Sequence, residues 1–343
     1  MKYDNVLIQG VCCPFCKATE GKSLYTVTAA QSATHFVLPW HNAEKHKQLE
    51  KHIISLWHQD TCQLICCSSC AGVFCWPFVA GDKEFYDLAY ERSGYPQNKW
   101  EFKKAVDWTS NNKSEFPDIK VLEIGAGDGA FLSKIIEIGI NPENIEAIEY
   151  SDYGRNKLHE LKISNVLTEN IPSSYLFSKW QNKFDFIFMF QVLEHLGDLD
   201  TKLEFLRSCL RSQGKIIFAV PNPLATYFNE VNDALLDMPP NHISRFSEGA
   251  IKELAQRNLF EVKSIEFEPL DKLSRYKQFC QYKYLRSTQF RYTLASLVSQ
   301  LPSKWKIRGI CSRIYRQILL LVNIMYLTKI KYSSSQLVVL QKK

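Results

Sequence analysis

Residues 121–131, Val-Leu-Glu-Ile-Gly-Ala-Gly-Asp-Gly-Ala-Phe, restrict the fold of this 343-residue chain more than any other stretch. A short apolar run containing one acid is followed by three glycines, and an apolar pattern with helical spacing begins at Phe131. This order predicts a buried strand, a tight glycine turn and a helix. Glycine lets the backbone turn sharply and lets a ligand approach the main chain, where a helix start offers unpaired N–H groups. The stretch therefore predicts a cofactor site at the end of a strand.

The glycine loop by itself leaves two classes of cofactor open. Gly125, Gly127 and Ala130 also satisfy the Gly-x-Gly-x-x-Ala form of a dinucleotide site. Glu123 favours the other class, because a carboxylate at the strand end suits an ammonium group better than a pyrophosphate, and S-adenosylmethionine carries an ammonium and a sulfonium. The run Glu-Ile-Gly-Ala-Gly-Asp-Gly resembles motif I of the class I S-adenosylmethionine-dependent methyltransferases. The resemblance implies a cofactor loop formed by Glu123, Gly125, Gly127 and Gly129.

Strand-like apolar segments alternate with helical patterns after this loop. Such alternation predicts an α/β fold with a doubly wound parallel sheet, in which ligands bind at the carboxyl ends of the strands. The resemblance makes this a seven-stranded Rossmann-like methyltransferase sheet. Glu149 ends the second strand about 20 residues after the loop, where a nucleotide ribose needs its hydroxyls held. We therefore expect Glu149 to bind the ribose.

Other polar residues also follow predicted strands. Tyr150 is a candidate to stack on the base, and the resemblance implies that residues after the third strand meet the adenine. It also implies that the end of the fourth strand lies beside both cofactor and substrate. The further cofactor candidates are Tyr150, Glu169, Asn170 and Gln191. The substrate candidates at strand ends are Glu194 and Asn222.

Two histidines are candidates for the general base. Methyl transfer to a hydroxyl or an enolisable carbon requires the acceptor to lose a proton. His242 lies in the loop before Phe246 and a helix that Ser247 caps, and in the resembled sugar and small-molecule methyltransferases a histidine there faces the acceptor. His242 is therefore the first candidate and His195 the second. A purely structural role, in which each ring only hydrogen-bonds nearby groups, stays open.

Two Cys-x-x-Cys pairs precede the predicted core. Four thiolates on two tight turns form a tetrahedral structural zinc site. The register is open, since Cys12 and Cys66 immediately precede the first members. The chain has eleven cysteines, and its first residues lack the pattern of a secretory signal peptide. We therefore expect thiols and metal rather than disulfides, and a cytoplasmic protein. The expected zinc ligands are Cys13, Cys16, Cys67 and Cys70.

An aromatic-rich connector joins the cysteine segment to motif I. A cysteine segment, a Phe-Tyr-x-Leu-x-Tyr run and then motif I are together similar to methyltransferases of sugar, polysaccharide and natural-product pathways, whose amino-terminal zinc-binding segment helps to cover the active site. The resemblance makes Tyr86, Tyr90 and Tyr95 candidates on the substrate side. The chemistry alone also allows a packing seam between segments.

The net charge of +6 is concentrated near the end of the chain, where residues 272–343 contain 15 Lys and Arg and no Asp or Glu. The final residues, 334–343, read as a seventh strand, which the resemblance places antiparallel between the fifth and sixth. Residues 270–333 are then a basic helical insertion. Three roles stay open: closing the substrate pocket or forming a dimer interface, contacting a membrane surface through residues 307–328, or binding nucleic acid. We rank nucleic acid last, because no RNA-binding motif accompanies the charge.

The sequence thus predicts a methyltransferase that transfers the methyl group of S-adenosylmethionine to a small, sugar-like or other small-molecule acceptor, by O- or C-methylation. The acceptor could be nucleotide- or lipid-linked. The alternatives are an RNA or protein methyltransferase that docks through the zinc segment, and a non-catalytic scaffold that senses cofactor. The expected segments are a zinc-binding segment (1–80), a connector with a leading helix (81–118), the core (119–269), the basic insertion (270–333) and the last strand (334–343).

Overall fold

The computed structural model describes residues 6–90, 95–112, 118–231, 237–271 and 332–343. The chain divides into two compact units. The larger unit comprises residues 3–221, 238–268 and 335–343, and the smaller one comprises residues 1–2, 222–237 and 269–334. Most of the predicted basic insertion, including the stretch 307–328, lies outside the described residues.

The described strands are β1 (Val6–Gln9), β2 (Glu20–Thr28), β3 (Thr61–Cys67), β4 (Val73–Trp76), β5 (Val121–Ile124), β6 (Ile145–Ile148), β7 (Asn165–Leu167), β8 (Phe184–Phe190), β9 (Leu210–Pro221), β10 (Ser244–Arg245), β11 (Phe260–Phe267) and β12 (Ser335–Lys342). The described α-helices are α1 (Ala29–Phe36), α2 (Ala43–Trp57), α3 (Lys83–Ala89), α4 (Trp100–Asn112), α5 (Ala130–Glu137), α6 (Asp152–Glu160), α7 (Ser174–Trp180), α8 (Leu199–Cys209), α9 (Pro223–Val231) and α10 (Glu248–Arg257).

A mixed sheet of seven strands organises the larger unit, in the order β11-β12-β9-β8-β5-β6-β7. The five neighbouring strands β9, β8, β5, β6 and β7 pair in parallel. In contrast, β12 pairs antiparallel with both β9 and β11. The predicted α/β class and the antiparallel last strand are therefore confirmed. Parallel pairing brings the carboxyl ends of β5, β6 and β8 to the same edge of the sheet.

The central strand β8 is buried along its whole length, and its side chains contribute to the hydrophobic clusters on both faces of the sheet. Ile187 and Met189 belong to one hydrophobic cluster, whereas Phe186 and Phe188 belong to the other. This alternation follows from the two-residue repeat of a strand, and a strand covered on both faces needs apolar residues at every position. The nearly continuous apolar run of β8 is thereby explained.

A second sheet, antiparallel and of five strands, has the order β1-β2-β3-β4-β10. Four of its strands come from the first 80 residues, but β10 lies after the long strand β9, and its Ser244 and Arg245 pair with Phe74 and Val73 of β4. The sequence did not predict this sheet. Helix α2 is capped by Asn42, whose side chain accepts the backbone N–H of Lys45, and it buries Leu49 and Ile53.

The described part of the smaller unit includes helix α9 and the short segments around it. Asn222 donates its backbone N–H to the carbonyl oxygen of Ser334 at 2.9 Å. The Thr226 hydroxyl donates to Oδ2 of Asp237 at 2.7 Å. Across both units, every described helix is too short or too polar to cross a membrane.

Candidate functional site

The glycine loop follows β5 and leads directly into α5, as the sequence predicted. Gly125, Gly127 and Gly129 all have positive φ, at 74°, 57° and 79°. A Cβ added to Gly127 would lie 3.0 Å from the ring of Tyr95, and one added to Gly125 would lie 2.8 Å from a methyl group of Val192. Both the backbone conformation and the lack of space therefore require glycine at these two positions.

The side chain of Glu149 lies directly beside this loop. Its Oε2 accepts the backbone N–H of Gly127 at 2.8 Å, and its Oε1 accepts the backbone N–H of Ser151 at 2.7 Å. The Tyr95 hydroxyl also donates to Oε1, at 3.4 Å. A carboxylate can accept about four hydrogen bonds, so this group has capacity left for a ligand hydroxyl. The position and free acceptor capacity of the Glu149 carboxylate are compatible with binding a ribose hydroxyl.

Glu123 lies one strand away and is almost completely buried. Among the described residues, no donor reaches its Oε2. Burial raises the pKa of Glu123 well above its usual range, and the charges of Glu149 and Asp128 raise it further, against a smaller opposite effect of Lys99. A cation placed next to this carboxyl would stabilise its ionised form. The ammonium of S-adenosylmethionine is such a cation, so the residues present fit that cofactor.

The candidates for the adenine side also lie together. The Tyr150 hydroxyl donates to Oδ1 of Asn170 at 2.9 Å and lies 3.4 Å from the carbonyl oxygen of Glu169. Tyr150 is 58% exposed. Since Tyr150 follows Glu149 directly, the adenine-side candidates lie next to the ribose candidate at this edge of the sheet.

Gln191 follows β8 and has a positive φ of 58°. Its backbone N–H donates to the carbonyl oxygen of Ala219 at 2.8 Å. Its side-chain amide donates to Glu101 at 3.4 Å and to Ser335 at 3.3 Å. The amide therefore links β8 to α4 and β12, a role that the sequence did not predict.

Three of the predicted substrate and catalytic residues converge after β8. Glu194 and His195 lie on a short 3-10 turn, and His242 approaches from the segment before β10. The candidate ligand atoms of the three side chains lie within 4.8 Å of one another. The imidazole rings of His195 and His242 are edge to face, with centroids 4.6 Å apart. The two segments are joined by the backbone N–H of Ile243, which donates to the Glu194 carbonyl at 3.0 Å.

The contacts of His195 define its tautomer when the ring is neutral. Nδ1 lies 2.7 Å from the carbonyl oxygen of Asn241, and a carbonyl can only accept. Nδ1 therefore carries the proton, and the lone pair of the ring is on Nε2.

The aromatic residues of the connector occupy two different places. The Tyr86 hydroxyl lies 3.3 Å from Nδ1 of His195, and the Tyr86 ring stacks on Tyr90 with centroids 6.1 Å apart. Burial raises the pKa of Tyr86, with smaller contributions from Tyr90 and Glu194. Tyr95, in contrast, lies over the glycine loop and contacts Glu149 rather than the histidine cluster. Asn222, the remaining substrate candidate, belongs to the smaller unit.

Four cysteine sulfurs converge between the turns that precede β2 and β4. The Sγ atoms of Cys13 and Cys70 lie 3.7 Å apart, and those of Cys16 and Cys67 lie 3.5 Å apart. In a tetrahedral zinc site with Zn–S bonds of about 2.3 Å, sulfurs are separated by about 3.8 Å. Of the registers that the sequence left open, this set is the one whose sulfurs come together. The donor set fits a structural zinc ion.

Hydrogen bonding and burial shift the pKa values of two of these thiols in opposite directions. Hydrogen bonding with Cys70 is the main cause that lowers the pKa of Cys13, whereas burial is the main cause that raises the pKa of Cys16 to about 11. A zinc ion would favour the thiolate form of all four.

Two contributors to the site were not predicted. Ser151 orients Glu149 through its backbone N–H, and Asn241 orients His195 through its carbonyl oxygen. Main-chain groups are present in every residue, so the residue type gave no signal for either role.

Residues 98–265 match the model of a family described as "Methyltransferase domain". No curated protein matches the chain.

The solved structures that are similar to it include three methyltransferases. One is an S-adenosylmethionine-dependent methyltransferase of Archaeoglobus fulgidus, with 18% identity, a TM-score of 0.41 and coverage of 70% of this chain and 94% of that one. Another, from Mesorhizobium loti, has 13% identity, a TM-score of 0.40 and coverage of 70% and 100%. The third is the magnesium protoporphyrin IX methyltransferase of Synechocystis PCC 6803 with bound S-adenosylhomocysteine, with 11% identity, a TM-score of 0.42 and coverage of 71% and 82%.

Proposed function

We propose that residues 98–265, which match the methyltransferase-domain model, form a class I, S-adenosylmethionine-dependent methyltransferase domain, and that the chain methylates a small, sugar-like or other small-molecule acceptor at oxygen or carbon. The observation that carries the proposal is the hydrogen bond between the glycine loop after β5 and the carboxylate that follows β6. There Gly127, with a conformation and surroundings that suit glycine, donates to a buried carboxylate at the position expected for a ribose ligand.

The proposed cofactor site runs along the carboxyl edge of the sheet. Glu149 holds the ribose hydroxyls, and Glu123 stabilises the ammonium group. Tyr150, Glu169 and Asn170 line the adenine side, with Gln191 at the end of β8. When bound, S-adenosylmethionine supplies an electrophilic methyl group on a sulfonium. The contribution of the protein is mainly to hold the two reactants in line.

The acceptor is proposed to lie against the end of β8, beside Glu194, His195, Tyr86 and Tyr90. An acceptor hydroxyl or enolisable C–H must lose its proton as it bonds to the methyl carbon. His242 takes that proton, with His195 as the alternative base. The support for this assignment is the convergence of both rings with a buried carboxylate.

Sugar-like character rests on the resemblance of the cysteine segment and connector to sugar and natural-product methyltransferases. Nucleotide- and lipid-linked forms of such acceptors are included in the proposal. We assign a structural zinc ion to Cys13, Cys16, Cys67 and Cys70, where it would fix the turns before β2 and β4.

Calorimetric titration of the full-length protein with S-adenosylmethionine, S-adenosylhomocysteine and NAD tests the cofactor class. We expect both adenosyl compounds to bind and NAD to give no signal. If neither adenosyl compound binds, the proposed activity fails and a non-catalytic scaffold takes its place. If they bind, methyl transfer from labelled cofactor to panels of free and nucleotide-linked sugars, RNA and protein then identifies the acceptor class.

A matched pair of glycine variants separates loop function from backbone strain. Gly127→Ala adds a methyl group to the cofactor loop at a residue with a φ of 57°. Gly10→Ala adds a methyl group outside this loop, at a residue with a φ of 82° and with open space around it. We expect Gly127→Ala to weaken cofactor binding by at least about 10-fold, which corresponds to about 1.4 kcal/mol. Gly10→Ala should bind as the wild type does. Equal affinities in the two variants would remove Gly127 from the site.

A further inference from the structure

The three side chains that converge after β8 have the composition of a metal site. They are one carboxylate and two imidazoles, and their ligand atoms lie within 4.8 Å of one another. Ligands around a zinc ion with bonds of about 2.1 Å are separated by roughly 3.4 Å, so small side-chain rotations would close the set. We infer that Glu194, His195 and His242 bind a divalent transition-metal ion of the zinc type, in addition to the ion assigned to the cysteines.

The surroundings of His195 favour ligation. A metal-binding histidine commonly donates its second ring N–H to a carbonyl or carboxylate, which holds the ring in the ligating tautomer. The Nδ1–H of His195 donates to the Asn241 carbonyl at 2.7 Å, so its lone pair is on Nε2. Asn241 immediately precedes His242 in the chain, and its position therefore couples the orientation of one ligand to the placement of another.

The backbone around the three ligands is held by several hydrogen bonds. The N–H of His195 donates to Val192, and the N–H groups of Asn241 and His242 both donate to Met238. The N–H of Ile243 donates to the carbonyl of Glu194 and so connects the two segments. The carbonyl of Ile243 accepts from the N–H of Cys75, which ties the second segment to β4. A site anchored on two fixed segments is pre-organised, which favours binding of an ion without large rearrangement.

The ligand set also predicts the kind of site. Four thiolates saturate a zinc ion, whereas three nitrogen and oxygen ligands leave one position for water or substrate. Glu194 is fully buried, while His195 and His242 are partly exposed, so the cluster has one closed side and one accessible side. An ion held there would present its open position on the accessible side.

The role of this ion in catalysis, but not its binding, rests on the proposed function. A divalent ion increases the acidity of a coordinated hydroxyl. With the ion bound, His242 and His195 act as ligands and not as the base of the metal-free mechanism, and the acceptor hydroxyl coordinated to the ion loses its proton to solvent water. Cofactor binding at the glycine loop is unaffected by this change.

Cobalt titration of the full-length protein, loaded with zinc at the cysteines, tests the inference. Co(II) bound to nitrogen and oxygen ligands gives visible d–d absorption without the near-ultraviolet charge-transfer band of a cobalt thiolate. We expect one additional equivalent of Co(II) to bind with the first spectrum only. Binding should weaken at least about 100-fold in Glu194→Gln and in His242→Ala, because each removes a ligand. His41→Ala, which removes an exposed histidine elsewhere, should bind Co(II) as the wild type does.

His242→Gln provides a second variant of similar size in case the alanine variant does not fold, and retention of the cysteine-bound zinc reports folding in each variant. The inference is overturned if the wild type takes up no additional Co(II), if the added ion gives the thiolate spectrum, or if the ligand variants bind as tightly as the wild type. A cofactor titration of the same samples keeps the outcomes separate. Loss of metal binding with intact S-adenosylmethionine binding rejects only the metal site, and the reverse result rejects only the cofactor assignment.

Discussion

The backbone N–H of Gly127 donates a 2.8 Å hydrogen bond to Oε2 of Glu149, joining the glycine loop to the residue that follows β6. The same carboxylate accepts from Ser151 at the start of α6. A single side chain therefore holds the loop and two elements around it in their relative positions.

Replacing Glu149 should weaken cofactor binding. We expect Glu149→Ala to cost about 1.5 to 3 kcal/mol of binding free energy, the usual value for a hydrogen bond to a charged group. Calorimetry measures the loss, and Glu160→Ala, on the exposed end of α6, is the control. Unchanged affinity in Glu149→Ala would remove the ribose assignment.

Cofactor affinity should depend on pH through Glu123. Burial raises the pKa of this carboxyl in the free protein, and an ammonium beside it would lower the pKa in the complex. Binding therefore releases a proton, and affinity should rise with pH until the pKa of the free protein is passed. Titrations in buffers of different ionisation enthalpy measure the released proton. Glu123→Gln should bind more weakly and release none, and a wild type that releases no proton would contradict the assignment.

Asp200 should make folding stability depend on pH. Burial raises its pKa, but hydrogen bonds from Lys17, Asn258 and Arg257 more than offset this, so the pKa is lowered. A lowered pKa contributes stability above the value of the unfolded chain, about 3.9, and that contribution is lost as the pH falls through the folded pKa. We expect Asp200→Asn to cost about 1 kcal/mol of unfolding free energy at pH 7, after allowance for solvent screening.

Urea unfolding at neutral and acidic pH measures this contribution, and the difference between wild type and Asp200→Asn should shrink in acid. Asp152→Asn is the control, because Asp152 also pairs with an arginine but its side chain is 82% exposed. An equal effect of both substitutions on the unfolding free energy would show that the hydrogen bonds of Asp200 stabilise the fold no more than an exposed ion pair does.

Loss of one cysteine ligand should release the proposed structural zinc. We expect Cys13→Ser to lose one zinc ion per chain and to lower the thermal unfolding midpoint, since binding of a structural ion contributes to folding free energy. Cys12→Ser, at the adjacent exposed thiol, should keep the ion. Metal analysis of both variants checks which cysteines are the ligands. Zinc loss from Cys12→Ser alone would show that Cys12, and not Cys13, binds the ion.

Local patterns predicted the seven-stranded sheet well. The strand β8 has an apolar residue at nearly every position because both of its faces are covered, and such a run can be recognised in a sequence. The cap of α10 was predicted at Ser247, whose side chain accepts the backbone N–H of Ala250 in the first turn of that helix. Each of these features depends on neighbours within a few residues, which a sequence displays directly.

The amino-terminal sheet and the convergence of the site could not be predicted in the same way. Alternate residues of β2 are buried, but Gly21 and Ser23 are among them, so the two-residue hydrophobic pattern is hidden. The strand β10 has two residues, and only its distant partner β4 defines it. His195 and His242 were singled out separately, since their contact depends on how the chain returns to the end of β8.

The short strand β10 has a consequence for how this protein can be divided. It lies two residues after His242 and supplies the last strand of the sheet that the amino-terminal residues begin. Cutting the chain between that sheet and the sheet of seven strands would leave Ser244 and Arg245 without their ladder and would release the segment that carries His242. The cysteine-bearing part is therefore not an exchangeable module. We expect it to be gained, lost and inherited together with the catalytic half of the chain.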